Sequence, residues 1–168
     1  MPTPELTITH AELRDDLEKK EMSLLVRLHN PGPRTLHAYA SIRALRYDPA
    51  TKTLEVQLSD RGLREPGLSG NFPLPKFTSI DPNGEATLEL TVPRTIARLK
   101  PGHGQIAPIV EEFPAHEAEN VTIEVAYAGT PFYRDPRAKI AKTPRKMMQD
   151  WAEGHARHTL RQRRETTQ

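Results

Sequence analysis

The sequence predicts an all-β protein, an antiparallel β-sandwich that ends in a C-terminal helical extension. Five segments alternate apolar and polar residues, turn-forming residues separate them, and no long amphipathic helix lies between them. Strict alternation indicates a strand with one buried face, because successive side chains point to opposite sides of a sheet. Short strands joined by Gly/Pro turns favour a sandwich over an alternating β-α-β fold.

The alternating segments share buried positions two residues apart. They cover residues 22–28, 36–44, 54–58, 86–92 and 121–127. In the second segment the phase of the alternation slips, because Leu45 and Tyr47 continue the apolar pattern on the opposite face. This slip predicts a β-bulge or a switch between sheets after Ala44.

The remaining segments are predicted as turns, edges and loops. Pro49 follows Asp48, and Pro82 precedes Asn83-Gly84, and both arrangements are typical of tight turns. Residues 6–13 are predicted as an edge strand followed by a charged turn, with a short helix over residues 11–20 as the alternative. The proline-rich stretches 61–77 and 93–119 are predicted to wrap the ends and edges of the sandwich, with a short piece of residues 106–113 added to an edge.

One family resemblance rests on the two turn sequences "HNPGPRTLHAY" and "SIDPNGEATLELTVP". With the strand order around them, they resemble the bacterial immunoglobulin-like modules of the CARDB type. In that family an Asn-x-Gly turn follows the second strand and a Pro/Gly-Glu turn precedes the fifth. The matching residues are Asn30, Gly32, Pro33, Gly84 and Glu85, within residues 6–92. The resemblance implies an immunoglobulin-like sandwich and leaves the function open, because such sandwiches carry many unrelated activities.

Composition indicates one folded unit with an appendage. The chain has 168 residues, 36% hydrophobic, with 16 prolines and no cysteine, so disulfides and thiolate-bound metals are excluded. No apolar run reaches the roughly 18 residues of a membrane span, and the N-terminal sequence does not resemble a secretory signal, so a cytoplasmic location is expected.

Charge divides the chain in two. Residues 1–128, the predicted sandwich, hold 14 Lys and Arg against 18 Asp and Glu, whereas residues 129–168 hold 10 against 4. The second part, here called the basic tail, is predicted as a proline-containing linker followed by a basic helix. Such an asymmetry suggests a partner for the tail or a place for it on the acidic body.

No catalytic or metal-binding motif stands out. The seven histidines (His10, His29, His37, His103, His116, His155 and His158) are scattered, and only His155 and His158 have a spacing that would put two rings on one helical face. A zinc site needs three or four ligands, and no third residue has a spacing that identifies it as a ligand. Nucleophile-elbow, phosphate-loop and dinucleotide motifs are absent from the sequence. We therefore expect neither an enzyme, nor a metal site, nor a cofactor.

The end of the basic tail is predicted as a helix with an N-terminal cap. Thr143 suits the cap position and Pro144 the first helical position. Met148, Trp151 and His155 then form a narrow apolar stripe, with Met147 one turn before Trp151. Positive charge is concentrated behind this stripe, at Arg157, Arg161, Arg163 and Arg164.

Three functions fit this predicted helix. Its apolar stripe can pack against the sandwich itself or a twin subunit, it can insert into a protein partner, or its arginines can bind nucleic acid or another polyanion. Asp150, Glu153 and Glu165 interrupt the positive charge, which disfavours the third. We predict a non-enzymatic interaction or assembly module with the C-terminal helix as its docking arm. The partner-binding residues would be Met147, Met148, Trp151, His155, Arg157, Arg161, Arg163 and Arg164.

Overall fold

The computed structural model describes residues 5–16, 18–63, 75–100, 109–132 and 144–161, and these are mostly β-strand. They contain one α-helix, α1 (Pro144–Trp151), and a short 3-10 turn at Ala115–Glu117. The strands are β1 (Thr7–Asp16), β2 (Glu21–His29), β3 (Leu36–Tyr39), β4 (Ala44–Asp48), β5 (Thr53–Leu58), β6 (Phe77–Ile80), β7 (Glu85–Pro93), β8 (Ile96–Lys100), β9 (Ile109–Phe113), β10 (Asn120–Ala128) and β11 (Gly154–Arg161).

The strands form two larger sheets and a hairpin. The first sheet has three antiparallel strands in the order β1-β2-β7. The second has six strands, in the order β4-β5-β10-β3-β6, with β11 on the other side of β10. Strand β5 runs parallel to β10, while β3 and β11 run antiparallel to it. Strands β8 and β9 pair separately.

The core lies where the apolar faces of both sheets meet. A single hydrophobic cluster contains the inward-facing residues of β2, β5, β7 and β10. Leu24, Val26 and Leu54 are among its fully buried members. Complete burial of such a side chain stabilises the fold by about 1.5–3 kcal/mol. The predicted strands over residues 22–28, 54–58, 86–92 and 121–127 are therefore confirmed.

The phase slip in the second predicted segment marks a break between two strands. Strand β3 ends at Tyr39, where it pairs with β6, and β4 begins at Ala44, where it pairs with β5. Both strands belong to the same sheet. The slip thus coincides with the change of pairing partner between β3 and β4 within one sheet, and the Arg43 side chain at this point is buried against Asp60.

The predicted edge strand near the N-terminus is confirmed as β1. It pairs with β2 as far as the Asp16–Glu21 pair, so the alternative helix over residues 11–20 is wrong. Pairing with β2 satisfies the backbone N–H and C=O groups of this charged stretch, which in a helix would bond to one another. The predicted edge piece 106–113 appears as β9, although residues 106–108 lie outside the described residues.

The two sequence motifs that carry the family resemblance meet at Asn30, whose side chain is fully buried. The Asn30 backbone N–H donates to the carbonyl oxygen of Gly84 at 2.9 Å, and its Oδ1 accepts from the Gly32 N–H at 3.1 Å. The Asn30 side-chain amide donates to three backbone carbonyl oxygens, those of Arg34, Ile80 and Asp81. A buried amide with every bond satisfied holds the two turns in one arrangement.

The predicted C-terminal helix is confirmed only as the short helix α1. Beyond Trp151 the prediction is wrong, because residues 154–161 form β11, which pairs with β10 along its whole length. Gly154 is a poor helix former, and Ala156 and Leu160 face the core at the spacing of a strand. Pairing also satisfies the backbone of β10 along one edge, which a free helix would leave open.

Candidate interaction surface

A buried carboxylate at the end of β5 organises the region where the C-terminal segment attaches. The side chain of Asp60 is 0% exposed. It accepts a hydrogen bond from the Tyr39 hydroxyl at 2.7 Å, and the Arg43 guanidinium contacts it at 3.3 Å. A buried carboxylate needs such partners because the interior cannot solvate its charge. The pair therefore fixes the course of the chain as it leaves β5.

Helix α1 is attached to this same stretch of backbone. The Gln149 side-chain amide donates to the carbonyl oxygens of Asp60, at 2.6 Å, and Leu63, at 3.0 Å. On the same helix Met148 is 0% exposed. The helix thus packs on the body of the protein through both polar and apolar contacts.

Trp151 lies in an aromatic cluster formed with Tyr39, Phe77 and Phe132. Its ring centroid is 5.0 Å from that of Phe77 and 5.8 Å from that of Tyr39. Its indole N–H donates to the Thr130 carbonyl oxygen at 2.8 Å. Edge-to-face and tilted packing at these distances is favourable for aromatic pairs. The chain's own residues therefore hold the half-buried indole.

The turn from α1 to β11 depends on Glu153 and Gly154. The Glu153 carboxylate accepts from Arg34, at 2.6 Å, and from the Gly129 N–H, at 3.1 Å. These two donors lower the pKa of Glu153. A Cβ at Gly154 would lie 2.5 Å from the Tyr127 hydroxyl oxygen. Glycine at this position therefore lets β11 begin close against β10.

Strand β11 places its odd-numbered side chains on the outer face of the six-stranded sheet. Ala156 faces the core, so His155, Arg157 and Arg161 point the other way. Arg157 is the cross-strand neighbour of Glu124 on β10. This alternation divides the strand into an apolar and a basic face.

Glu124 is the centre of a charged group on that outer face. Its side chain is only 14% exposed. It accepts hydrogen bonds from Ser59, at 3.2 Å, from Arg61, at 3.3 Å, and from Arg157, at 3.1 Å. Two arginines therefore flank one carboxylate, and their own side chains are more than half exposed, at 56% for Arg61 and 61% for Arg157.

These side chains border a shallow depression of about 320 Å³. Arg46 on β4 joins Arg61 and Arg157 in lining it, together with Glu55, Gln57, Thr122 and Glu124. Arg161 is exposed and lies on the same face of β11, two positions beyond Thr159. We call the surface formed by Arg46, Arg61, Arg157 and Arg161 the arginine face.

His155 adds no positive charge to this surface at neutral pH. Burial lowers the pKa of its imidazole; Glu124 raises that pKa, and Arg61 and Arg157 lower it. The ring lines a cavity of about 280 Å³ between α1 and β11, which Lys146 and Asp150 also line. The uncharged imidazole can thus remain half-buried beside two arginines.

The structure separates the residues that the sequence predicted as one binding surface. Met148 and Trp151 pack on the chain itself and Met147 is half-buried, whereas His155, Arg157 and Arg161 lie on the outer sheet face. Arg163 and Arg164 lie outside the described residues. Arg46, Arg61 and Glu124 were missed, although the alternation around Leu45 and Tyr47 already placed Arg46 on an outer face.

Among the described residues, no group of three or more His, Asp or Glu side chains is placed to hold a metal ion. No helix in the described part of the chain is long and apolar enough to cross a membrane. No family model, curated protein or solved structure matches this chain.

The adjacent methionines of α1 form a matched pair for testing its attachment. We expect Met148→Ala to lower the free energy of unfolding by about 2–5 kcal/mol, because it opens a cavity under the helix. Met147→Ala, at a half-buried position, should cost less than half as much. Urea denaturation followed by Trp151 fluorescence measures both. Equal and small effects would mean that the helix does not pack on the body.

The pKa of His155 predicts a pH-dependent loss of stability. Its folded-state pKa lies below the ordinary value of 6.5, so the unfolded chain binds the proton first as the pH falls. This lowers the free energy of unfolding below about pH 6.5 and leaves it unchanged well above that pH. Compared with His155→Gln, the wild type should therefore lose more stability between about pH 7.5 and 5. Denaturant titrations at both pH values measure this, and equal losses in the two proteins would contradict it.

Proposed function

We propose that this protein is a non-enzymatic, cytoplasmic interaction or assembly module with an immunoglobulin-like sandwich fold, which binds an acidic protein partner through the arginine face. Strand order supports the fold. The order β1-β2-β7 in one sheet and β11-β10-β3 in the other corresponds to A-B-E and G-F-C in immunoglobulin-like sandwiches. On this correspondence, β4 and β5 form an additional hairpin beside the central strand.

The docking arm predicted from the sequence takes a different form in this proposal. The apolar side of α1 packs on the body through Met148, whose side chain is fully buried. A partner protein therefore cannot contact Met148. The C-terminal segment instead contributes β11, which carries Arg157 and Arg161 to the sheet surface. The arm is therefore part of the binding surface and not a free helix.

The convergence of arginines on Glu124 is the observation that carries the proposal. Arg61 and Arg157 reach the same carboxylate from different elements. Arg157 uses its Nε and Nη2 groups for this contact, which leaves further N–H groups of the guanidinium for a ligand. Because Glu124 holds both side chains in place, their ordering costs less on binding than that of free side chains. Arginine is also among the residues enriched at protein interfaces.

Carboxylates among the arginines favour a protein over a nucleic acid. Glu55 and Glu124 line the same depression, and both would repel a continuous phosphate backbone. Among the described residues that line it, none is aromatic, so these residues offer no platform for stacking of bases. Mixed charge of this kind suits an acidic protein partner that also places basic groups opposite Glu55 and Glu124.

Polyanion binding by the same arginines is the second candidate, supported by their convergence from β4, β5 and β11 on one face. It differs from protein binding in its dependence on salt. Binding to labelled DNA should weaken steeply between about 50 and 200 mM salt if this candidate is correct. Protein binding centred on ordered arginine contacts should change less.

Replacing two arginines on β11 tests the proposed function. We expect the double variant Arg157→Gln, Arg161→Gln to bind its cross-linked protein partner about tenfold more weakly, because both guanidinium groups leave the interface. Partners are identified by cross-linking mass spectrometry with the full chain as bait, and affinity is then measured with the purified partner.

Arg27→Gln is the matched control, since Arg27 is exposed on β2 in the other sheet. It should bind like the wild type. Unchanged binding by the double variant would contradict the proposal, and so would cross-links confined to the three-stranded sheet. Salt-sensitive binding of DNA without a protein partner would favour the second candidate.

A further inference from the structure

The turn between β6 and β7 contains the dipeptide Asn83-Gly84. Asn83 is exposed and has a φ angle of 57°, in the left-handed region where asparagine is enriched among residues other than glycine. A Cβ at Gly84 would lie 2.9 Å from the carbonyl oxygen of Asp81, so a larger residue there would displace the backbone of the turn. The shape of the turn therefore favours the two residues that form it.

An asparagine that is followed by glycine can deamidate without an enzyme. The backbone nitrogen of Gly84 attacks Cγ of Asn83, the Cγ–Nδ2 bond breaks, and the proton of the attacking nitrogen leaves with the amide as ammonia. Water then opens the resulting cyclic imide at either carbonyl carbon, which gives aspartate or isoaspartate. Glycine favours the ring closure because it has no side chain to obstruct the attacking nitrogen.

The folded turn opposes two requirements of this reaction. The Gly84 N–H donates to the Asp81 carbonyl oxygen at 2.8 Å, so the attacking nitrogen is held in a hydrogen bond. The five-membered ring also fixes the ψ angle of Asn83 outside the left-handed region. Ring closure therefore requires Asn83 to leave its native conformation, in which its N–H donates to the Gly32 carbonyl oxygen at 3.3 Å.

Asn30 connects this turn to the end of β2. Its side-chain amide donates to the Asp81 carbonyl oxygen at 3.2 Å, the same oxygen that accepts from Gly84. Its backbone N–H donates to the Gly84 carbonyl oxygen at 2.9 Å. Because Asn30 is fully buried, these bonds lie in a low-dielectric environment that strengthens them. One buried residue thus holds the turn on both sides of Asn83.

We propose that Asn83 is a deamidation site whose reactivity the contacts of Asn30 suppress in the folded protein. Opening of the turn frees the Gly84 nitrogen, and isoaspartate is then one of the products. Isoaspartate adds a methylene group to the backbone, so the hydrogen bonds of the turn cannot all form again. Because β6 and β7 belong to different sheets, the modification weakens a connection between the sheets.

The first test compares the wild-type chain folded and unfolded in guanidinium chloride, at the same mildly alkaline pH. Peptide mapping by mass spectrometry measures the deamidated fraction at Asn83 and separates aspartate from isoaspartate. We expect deamidation to be at least about tenfold slower in the folded chain, because the reaction requires the turn to open. Equal rates in the two states would overturn the proposal.

Two variants separate the contacts of Asn30 from global stability. Asn30→Ala removes the side-chain amide and should accelerate deamidation of the folded chain about fivefold or more. The control is Val56→Ala, which weakens the core on β5, whose partners among the described strands are β4 and β10. Urea is added to the more stable variant until both have the same free energy of unfolding. Asn30→Ala should still react faster, and equal rates would contradict the role of Asn30.

The product provides a second test, which holds even if Asn30→Ala does not fold. Wild-type chain is aged while unfolded, returned to buffer, and separated into its aspartate and isoaspartate forms. The isoaspartate form should unfold at lower urea concentration than Asn83→Asp, which changes only an exposed side chain and should resemble the wild type. Trp151 fluorescence follows the unfolding. Equal stability of the isoaspartate form and Asn83→Asp would contradict the proposal.

Discussion

The buried carboxylate of Asp60 is the contact on which the arrangement of the C-terminal half depends. It joins Tyr39 of β3 to Arg43, the residue before β4, and its own backbone carbonyl accepts from Gln149 of α1. Removing one member of a buried pair is costly, because the remaining charge is left without a partner. Asp60 thus links α1 to the end of β3, the start of β4 and the end of β5. The core packing of both sheets would not by itself determine where α1 lies.

A short series of local contacts then determines the path of the chain from α1 to β11. Tyr39 also packs against Trp151, so the residue that binds Asp60 contacts the end of the helix. Glu153 then binds Arg34, and Gly154 allows the close approach to Tyr127. Strand β11 emerges in register with β10 and carries Arg157 to Glu124. The arginine face is therefore a product of sheet register, which in turn follows from the way α1 is attached.

Sequence patterns predicted the elements whose stability is local or whose burial is periodic. The alternation of apolar and polar residues was sufficient to predict strands β2, β5, β7 and β10. The residue types around Pro49 and Asn83 were sufficient to predict the turns there. Strand β11 was missed because its residues, such as Ala156 and Leu160, also suit a helix, and only pairing with β10 makes the strand the better solution. The arginine face was missed in part because Arg46, Arg61 and Arg157 are far apart in sequence, and only the order of strands brings them together.

The proposed binding surface depends on residues 154–161 forming a strand in register with β10. Amide hydrogen exchange of the full chain measures it directly. We expect amides within residues 154–161 that bond to β10 to exchange slowly, with opening free energies close to those of β10, and NMR to detect cross-strand contacts between Ala156 and Val125. Rapid exchange throughout this segment, or the sequential contacts of a continuous helix from residue 144 onward, would contradict it.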